Sequence, residues 1–164
     1  MNGRQVVAID LSYSELEETR ERETKKESLK IVMDATDLKF LTKSFEVATS
    51  FFTLMFIENS LHPKVFSEIH RVLKENGRFL MWDVRIPERV EDASAFGLSL
   101  EIALPGEKVT TSYGTKWENK EQDLEYFKAL ATKTGFRIVK EWTRDEVFFL
   151  ELMKQPSEAA PSVK

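Results

Sequence analysis

Short apolar runs that close on a carboxylate recur through the first half of the chain. Val6-Val7-Ala8-Ile9 ends on Asp10, Leu29 to Met33 ends on Asp34, and Arg78 to Val84 carries Asp83 beside its end. Runs of this length, almost unbroken in apolar or β-branched residues, predict strands buried on both faces of a parallel sheet. Phe45 to Phe51 predicts another strand, ending among the small polar residues Thr49 and Ser50. From Ser14 to Glu27 the pattern is that of a solvated helix. It has only Leu16 to bury and places Glu18/Arg22 and Glu21/Lys25 four residues apart. Thr53 to Ser60 reads as a loop or short helical turn, and His62-Pro63 opens a helix whose Val65, Phe66, Ile69, Val72 and Leu73 share one face. Asn76-Gly77 is expected to terminate that helix.

This order of strands and helices implies right-handed parallel crossovers, hence an α/β fold with a doubly wound, mostly parallel sheet. The register changes beyond Pro87. Phe96, Leu98, Leu100, Ile102 and Leu104 alternate with small or polar residues, Pro105-Gly106 makes a turn, and Lys108 to Tyr113 return, so residues 96–118 read as an inserted hairpin. Leu124, Phe127, Leu130, Ala131 and Thr134 mark one more amphipathic helix, ended by Gly135. Arg137 to Trp142 and Val147 to Met153 then form a closing antiparallel pair. Residues 1–154 are expected to make a single domain, followed by a Pro-rich polar tail, 155–164, that does not order itself.

Composition narrows the class. The chain has 164 residues, 41% hydrophobic, with twelve Phe and three Trp, enough for one sizeable core. A net charge of -4 supplies no general basic field for nucleic acid. The absence of cysteine removes disulfides, zinc-thiolate sites and thiol nucleophiles, and fits a reducing, cytoplasmic setting. The longest apolar run, Phe51 to Ile57, falls far short of the roughly 20 residues of a membrane-spanning helix, and no membrane partner is expected.

Ligands of open α/β sheets bind beyond the carboxyl ends of the strands, where an Asp can accept both hydroxyls of a nucleoside sugar. For Asp10 two roles stand side by side, a ribose acceptor and a cap for the helix that follows. The small residue after Asp34, Ala35, leaves room for a flat ring.

The ordered pieces VVAIDLS, KIVMDATDLKF, FEVATSFFTLMFI and EIHRVLKENG running into RFLMWDV resemble the class I S-adenosylmethionine-dependent methyltransferases from their second strand to their fifth. RVLKENGRF is the most specific of these, and the C-terminal helix and strands resemble the same fold. The resemblance implies S-adenosyl-L-methionine as cofactor. It places the ribose at Asp10, with Leu11 beside it, the adenine at Asp34 and Ala35, and the methionine part at Ser50, Phe51 and Phe52. It implies no metal.

The family's first strand and helix, with a Gly-rich turn for the carboxypropyl group, would precede VVAID by roughly 30 residues. Here Met1 to Arg4 precede it, so the resemblance implies an N-terminally shortened member with poor cofactor affinity. The sheet is then expected to close up, borrow a strand or lose stability. The expected activity is methyl transfer to a small-molecule acceptor. Glu58, His62 and Asp83 are the candidate general bases, none of them convincing, and the hairpin with Tyr113 and Trp117 is either a lid or an ordinary packing face. The alternative is a non-catalytic fragment or interaction module that pairs with another chain, as a homodimer or with a strand-donating partner. A nicotinamide-dependent reductase ranks below both, because no Tyr-x-x-x-Lys pair occurs.

Overall fold

The computed structural model of the chain describes residues 5–22, 28–89, 93–104, 106–117 and 120–156. The apolar runs are extended, as β1 (Val7–Asp10), β2 (Leu29–Val32) and β3 (Phe45–Phe51), with helix α1 (Tyr13–Arg22) between the first two. Two 3-10 turns, Leu54–Phe56 and Asn59–Leu61, lead into α2 (His62–Val72) and β4 (Leu73–Val84). The hairpin follows as β5 (Ala95–Leu104) and β6 (Glu107–Lys116), then α3 (Leu124–Lys133), β7 (Phe136–Arg144) and β8 (Val147–Lys154).

The α/β class is as expected, but the described strands do not form one doubly wound parallel sheet. They form a parallel pair β1-β2, a four-stranded sheet in the order β3-β4-β8-β7, and the antiparallel hairpin β5-β6. Only β1-β2 and β3-β4 pair in parallel. The tight connection from β7 to β8, with Asp145 left-handed at φ 52, forces antiparallel pairing there, and β8 then docks antiparallel on β4. Among the described residues no strand pairing joins β1 to β3.

Helix α2 ends at Val72, four residues before the Asn76-Gly77 pair expected to end it. Leu73 is already extended, with ψ 139, and the pair kinks the start of β4 instead. Asn76 is left-handed at φ 59, and a Cβ on Gly77 would lie 2.7 Å from the Lys74 carbonyl oxygen, so only glycine fits the bend. The expected end of α1 falls among residues 23–27, outside the described residues, as do Pro105 of the hairpin turn and residues 157–164 of the tail.

Both later helices pack on the same face of the four-stranded sheet. Val65 and Phe66 of α2 and Phe127, Leu130 and Ala131 of α3 bury Phe79 and Met81 of β4 and Phe148, Leu150 and Leu152 of β8. The strand period of two turns Trp82 and Phe149 to the other face. There Phe51, Trp82, Phe149 and Trp142, direct partners on adjacent strands, make a row with centroids 4.5, 4.6 and 5.7 Å apart.

Without a backbone ladder, the β1-β2 pair must be tied to the rest by other means. Glu68 and Arg71, one turn apart on α2, supply one such tie. Arg71 Nε donates to Glu68 Oε1 at 2.8 Å, while its two terminal nitrogens donate to the carbonyls of Phe40, at 2.8 Å, and Leu38, at 2.6 Å. Glu68 Oε2 in turn accepts from the Leu38 amide at 2.8 Å. The link between β2 and β3 is thereby fixed to α2 by a planar fork that matches two carbonyls and a carboxylate at once. Arg71→Ala is expected to lower the unfolding free energy by about 2 kcal/mol in urea titrations, and Arg71→Lys, which lacks the fork, to recover less than half of that loss.

Candidate active site

Asp10 and Asp34 lie at the same rim of the parallel pair β1-β2. Asp10 stands opposite Val32 in the register, its carbonyl accepts from the Met33 amide at 3.0 Å, and Asp34 follows immediately. Both acids are exposed. Asp10 Oδ1 accepts from the Ser12 amide at 2.8 Å, and Ser12 Oγ accepts from Glu15 N at 3.4 Å to cap α1. Ser12 therefore caps α1 in place of Asp10, which commits one oxygen to the turn before the helix, and its other oxygen has no hydrogen-bond partner among the described residues. Asp34 Oδ1 accepts from the Thr36 amide at 2.7 Å, and hydrogen bonds from Thr36 hold this carboxyl below its ordinary range. Leu11 is 71% exposed beside Asp10, and Ala35 is half-buried against the core.

Ser50, Phe51 and Phe52, at the end of β3 and just beyond it, point in different directions. Ser50 pairs with Met81 on the helix-covered face, and its hydroxyl is buried with no hydrogen-bond partner. Phe51 stacks on Trp82 on the opposite face, with 58% of its surface exposed. At Phe52 the backbone turns left-handed, φ 50, which breaks the alternation and brings its ring to 5.2 Å from Tyr113 of the hairpin. Phe52, Phe96, Leu98, Tyr113 and Trp117 pack there around the buried Met55, Val84 and Ile86. The inward side chains of β5 and β6 are those the alternation predicts as far as Leu100, whereas Ile102, nearer the tip, is 36% exposed.

Two of the three candidate bases are fully buried. Asp83 Oδ2 accepts from the Leu54 amide at 3.0 Å, and Oδ1 accepts from the Val84 amide at 2.9 Å and Gln122 Nε2 at 2.8 Å. Burial raises its pKa to about 6, because desolvation of the charge outweighs these donors. His62 Nε2 faces the Leu54 carbonyl at 3.1 Å, which can only accept, so that nitrogen carries the hydrogen. Nδ1 then accepts from the Tyr126 hydroxyl at 3.0 Å. Burial, with the Lys120 charge, holds His62 below its ordinary pKa against the opposing bond to Leu54, which favours the neutral ring. Glu58 is exposed. Gln122 and Tyr126 are the residues that sequence patterns miss. Gln122 reaches Asp83 across 39 positions, and no local period signals a contact of that span.

Residues 1–81 match the model of a family described as a methyltransferase domain. No curated protein matches the chain. The fold is shared with solved structures. The PH0226 protein of Pyrococcus horikoshii is 20% identical, with a TM-score of 0.68 over 93% of this chain and 73% of that one. An S-adenosylmethionine-dependent methyltransferase of Methanosarcina mazei is 14% identical, with a TM-score of 0.68 over 93% and 83%. The [4+2]-cyclase SpnF is 14% identical, with a TM-score of 0.62 over 93% and 67%. The family model covers just under half of the chain, and the solved structures show that the chain shares the fold of S-adenosylmethionine-dependent methyltransferases. The Methanosarcina mazei protein is named for its dependence on S-adenosylmethionine. The donor set fits that cofactor, since two exposed carboxylates at one rim offer acceptors to sugar hydroxyls and an amino group beside an uncovered Leu11. Among the described residues no helix is long and apolar enough to cross a membrane.

The raised Asp83 pKa links stability to pH. Between its ordinary value of 3.8 and about 6 the folded chain holds a proton that the unfolded chain has released, so stability falls as pH rises through this window and stays lower above it. Asp83→Asn removes this slope. Urea titrations are expected to show the stability of the Asn variant relative to the unsubstituted chain rising by on the order of 3 kcal/mol from about pH 4 to about pH 7.

Proposed function

We propose that the chain is an S-adenosylmethionine-dependent methyltransferase acting on a small, largely apolar acceptor held beneath the β5-β6 hairpin, with the adenosine part of the cofactor at Asp10 and Asp34. The observation that carries this reading is the placement of both acids at one rim of a parallel pair, one of them with an uncommitted oxygen. S-adenosylmethionine, when bound, supplies a methyl group already activated on a sulfonium. The chain's own work is then to bind, to align and to exclude water.

The free oxygen of Asp10 accepts from the ribose hydroxyls. Asp34, kept ionised by Thr36, accepts from the adenine amino group, and the backbone of Ala35 faces the ring, its small side chain leaving room. Phe52, Phe96, Leu98, Tyr113 and Trp117 give an acceptor an apolar wall. Asp83 and His62 are enclosed, and the atoms they would use are committed to other partners, so neither is placed to take a proton from an acceptor. An acceptor with no proton to lose suits such a site.

Asp10→Ala removes a charged acceptor and leaves the ladder intact. Calorimetry with S-adenosylhomocysteine is expected to show binding weakened by about 10- to 100-fold at unchanged melting temperature. Equal affinity in the variant overturns the assignment of Asp10.

The break between β1 and β3 favours a second reading, assembly with another chain through the free edge of β3. That edge ends at the exposed Phe51, and a strand added there satisfies its unpaired amides and carbonyls. Light scattering is expected to show a mass above that of the single chain, reduced by Phe51→Lys. A monomer at every concentration overturns this reading. Self-association without binding of either adenosyl compound favours an interaction module over an enzyme.

A further inference from the structure

The turn that carries Phe52 out of β3 is held by groups distant in sequence. Phe52 occupies the left-handed region, φ 50, which a bulky residue seldom adopts unless its surroundings over-determine it. On one side its amide donates to the Trp82 carbonyl at 2.8 Å. On the other, the backbone of Leu54 is seized at both of its polar groups. Asp83 takes its N–H at 3.0 Å, and His62 Nε2 donates to its carbonyl at 3.1 Å.

Each of these side chains is itself fixed. Gln122 bonds Asp83 and also the Val84 carbonyl, at 2.9 Å, and its backbone pairs with Ile86 in both directions. Tyr126 bonds His62 from α3. Asn59 closes the circuit by donating to the Glu121 carbonyl at 2.7 Å, next to Gln122. The chain of bonds runs from β4 through Leu54, His62, α3 and the 120–122 segment back to β4. Its effect is to fix one short peptide stretch whose neighbouring ring, Phe52, touches Tyr113 of the hairpin.

We infer that Asp83 and His62 are positioning residues for methyl transfer, which clamp the Leu54 backbone from both sides and so hold Phe52 in its left-handed turn between the cofactor-facing strand end and the hairpin. This rests on the reading that places the cofactor beyond β3. Neither side chain touches substrate. Both act through the backbone they grip, which explains why two polar residues with perturbed pKa values are shut away from solvent at the site end of the sheet. Without either half of the clamp, the turn relaxes to an ordinary backbone conformation and the Phe52 ring leaves Tyr113.

The test compares Asp83→Asn, His62→Phe and His62→Gln in the full chain by S-adenosylhomocysteine calorimetry well below the melting temperature. Asn presents a donor where one of the Asp83 acceptors stood, and Phe fills the imidazole space without a donor. Both variants are expected to bind at least tenfold more weakly. Gln restores a donor toward the Leu54 carbonyl and is expected to stay within about threefold of the unsubstituted chain, a rescue that a merely space-filling role would not produce.

A lower melting temperature with unchanged affinity in Asp83→Asn and His62→Phe overturns the inference, as does equal weakening by Gln and Phe. Where either strong variant fails to fold, Tyr126→Phe, which removes only the hydroxyl that orients the imidazole, is expected to weaken binding about threefold, and unchanged affinity there overturns it. No binding by the unsubstituted chain overturns the cofactor reading and the clamp together, which separates that failure from a failure of the clamp alone.

Discussion

The fork of Glu68 and Arg71 is the interaction on which the placement of this site depends. Among the described residues no strand pairing joins β1 to β3, so the pair that bears Asp10 and Asp34 is not laddered to the sheet that bears Ser50 to Phe52. Arg71 takes two carbonyls of the intervening link, Glu68 takes one of its amides, and each holds the other in plane. A half-exposed ion pair contributes little to stability when it stands alone. Here the charges are saturated by backbone groups, and the pair sets the relative position of two pieces of structure.

At the opposite rim a buried carboxylate does comparable work without a guanidinium. Asp83 is surrounded by N–H donors, and its elevated pKa records that they do not fully replace water. Its cost to stability is the counterpart of a turn that the local sequence would not adopt by itself. Leu54, Met55 and Phe52 have no glycine among them to ease a left-handed step. The bend is imposed from outside, by strand β4 and by two elements far along the chain.

Periodicity made much of this legible. The strands ending on Asp10 and Asp34, the α2 face of Val65, Phe66 and Ile69, and the alternation of Phe96, Leu98 and Leu100 all follow from local spacing. What was not legible depends on partners. Asn76-Gly77 has the composition of a helix terminator, yet α2 stops earlier because Leu73 pairs with Phe45, and the pair bends β4 instead. The parallel sheet inferred from strand order breaks up because pairing is a property of neighbouring edges. His62-Pro63 opens α2, as their composition implies, with His62 as its first residue, and nothing local announced that the imidazole would bind Leu54 and Tyr126. The phrase RVLKENGRF stood out as the most family-specific stretch, and its first residue, Arg71, proves to be the tie between the two halves.

The aromatic row across the sheet places Trp82 and Trp142 on either side of Phe149, whereas Trp117 sits beneath the hairpin with its indole nitrogen bonded to the Pro87 carbonyl at 2.8 Å. The three indoles therefore stand in two separate places. Loosening of the sheet changes the surroundings of the first pair, and lifting of the hairpin those of the third, so variants that keep a single indole distinguish motion of the hairpin from melting of the scaffold beneath it.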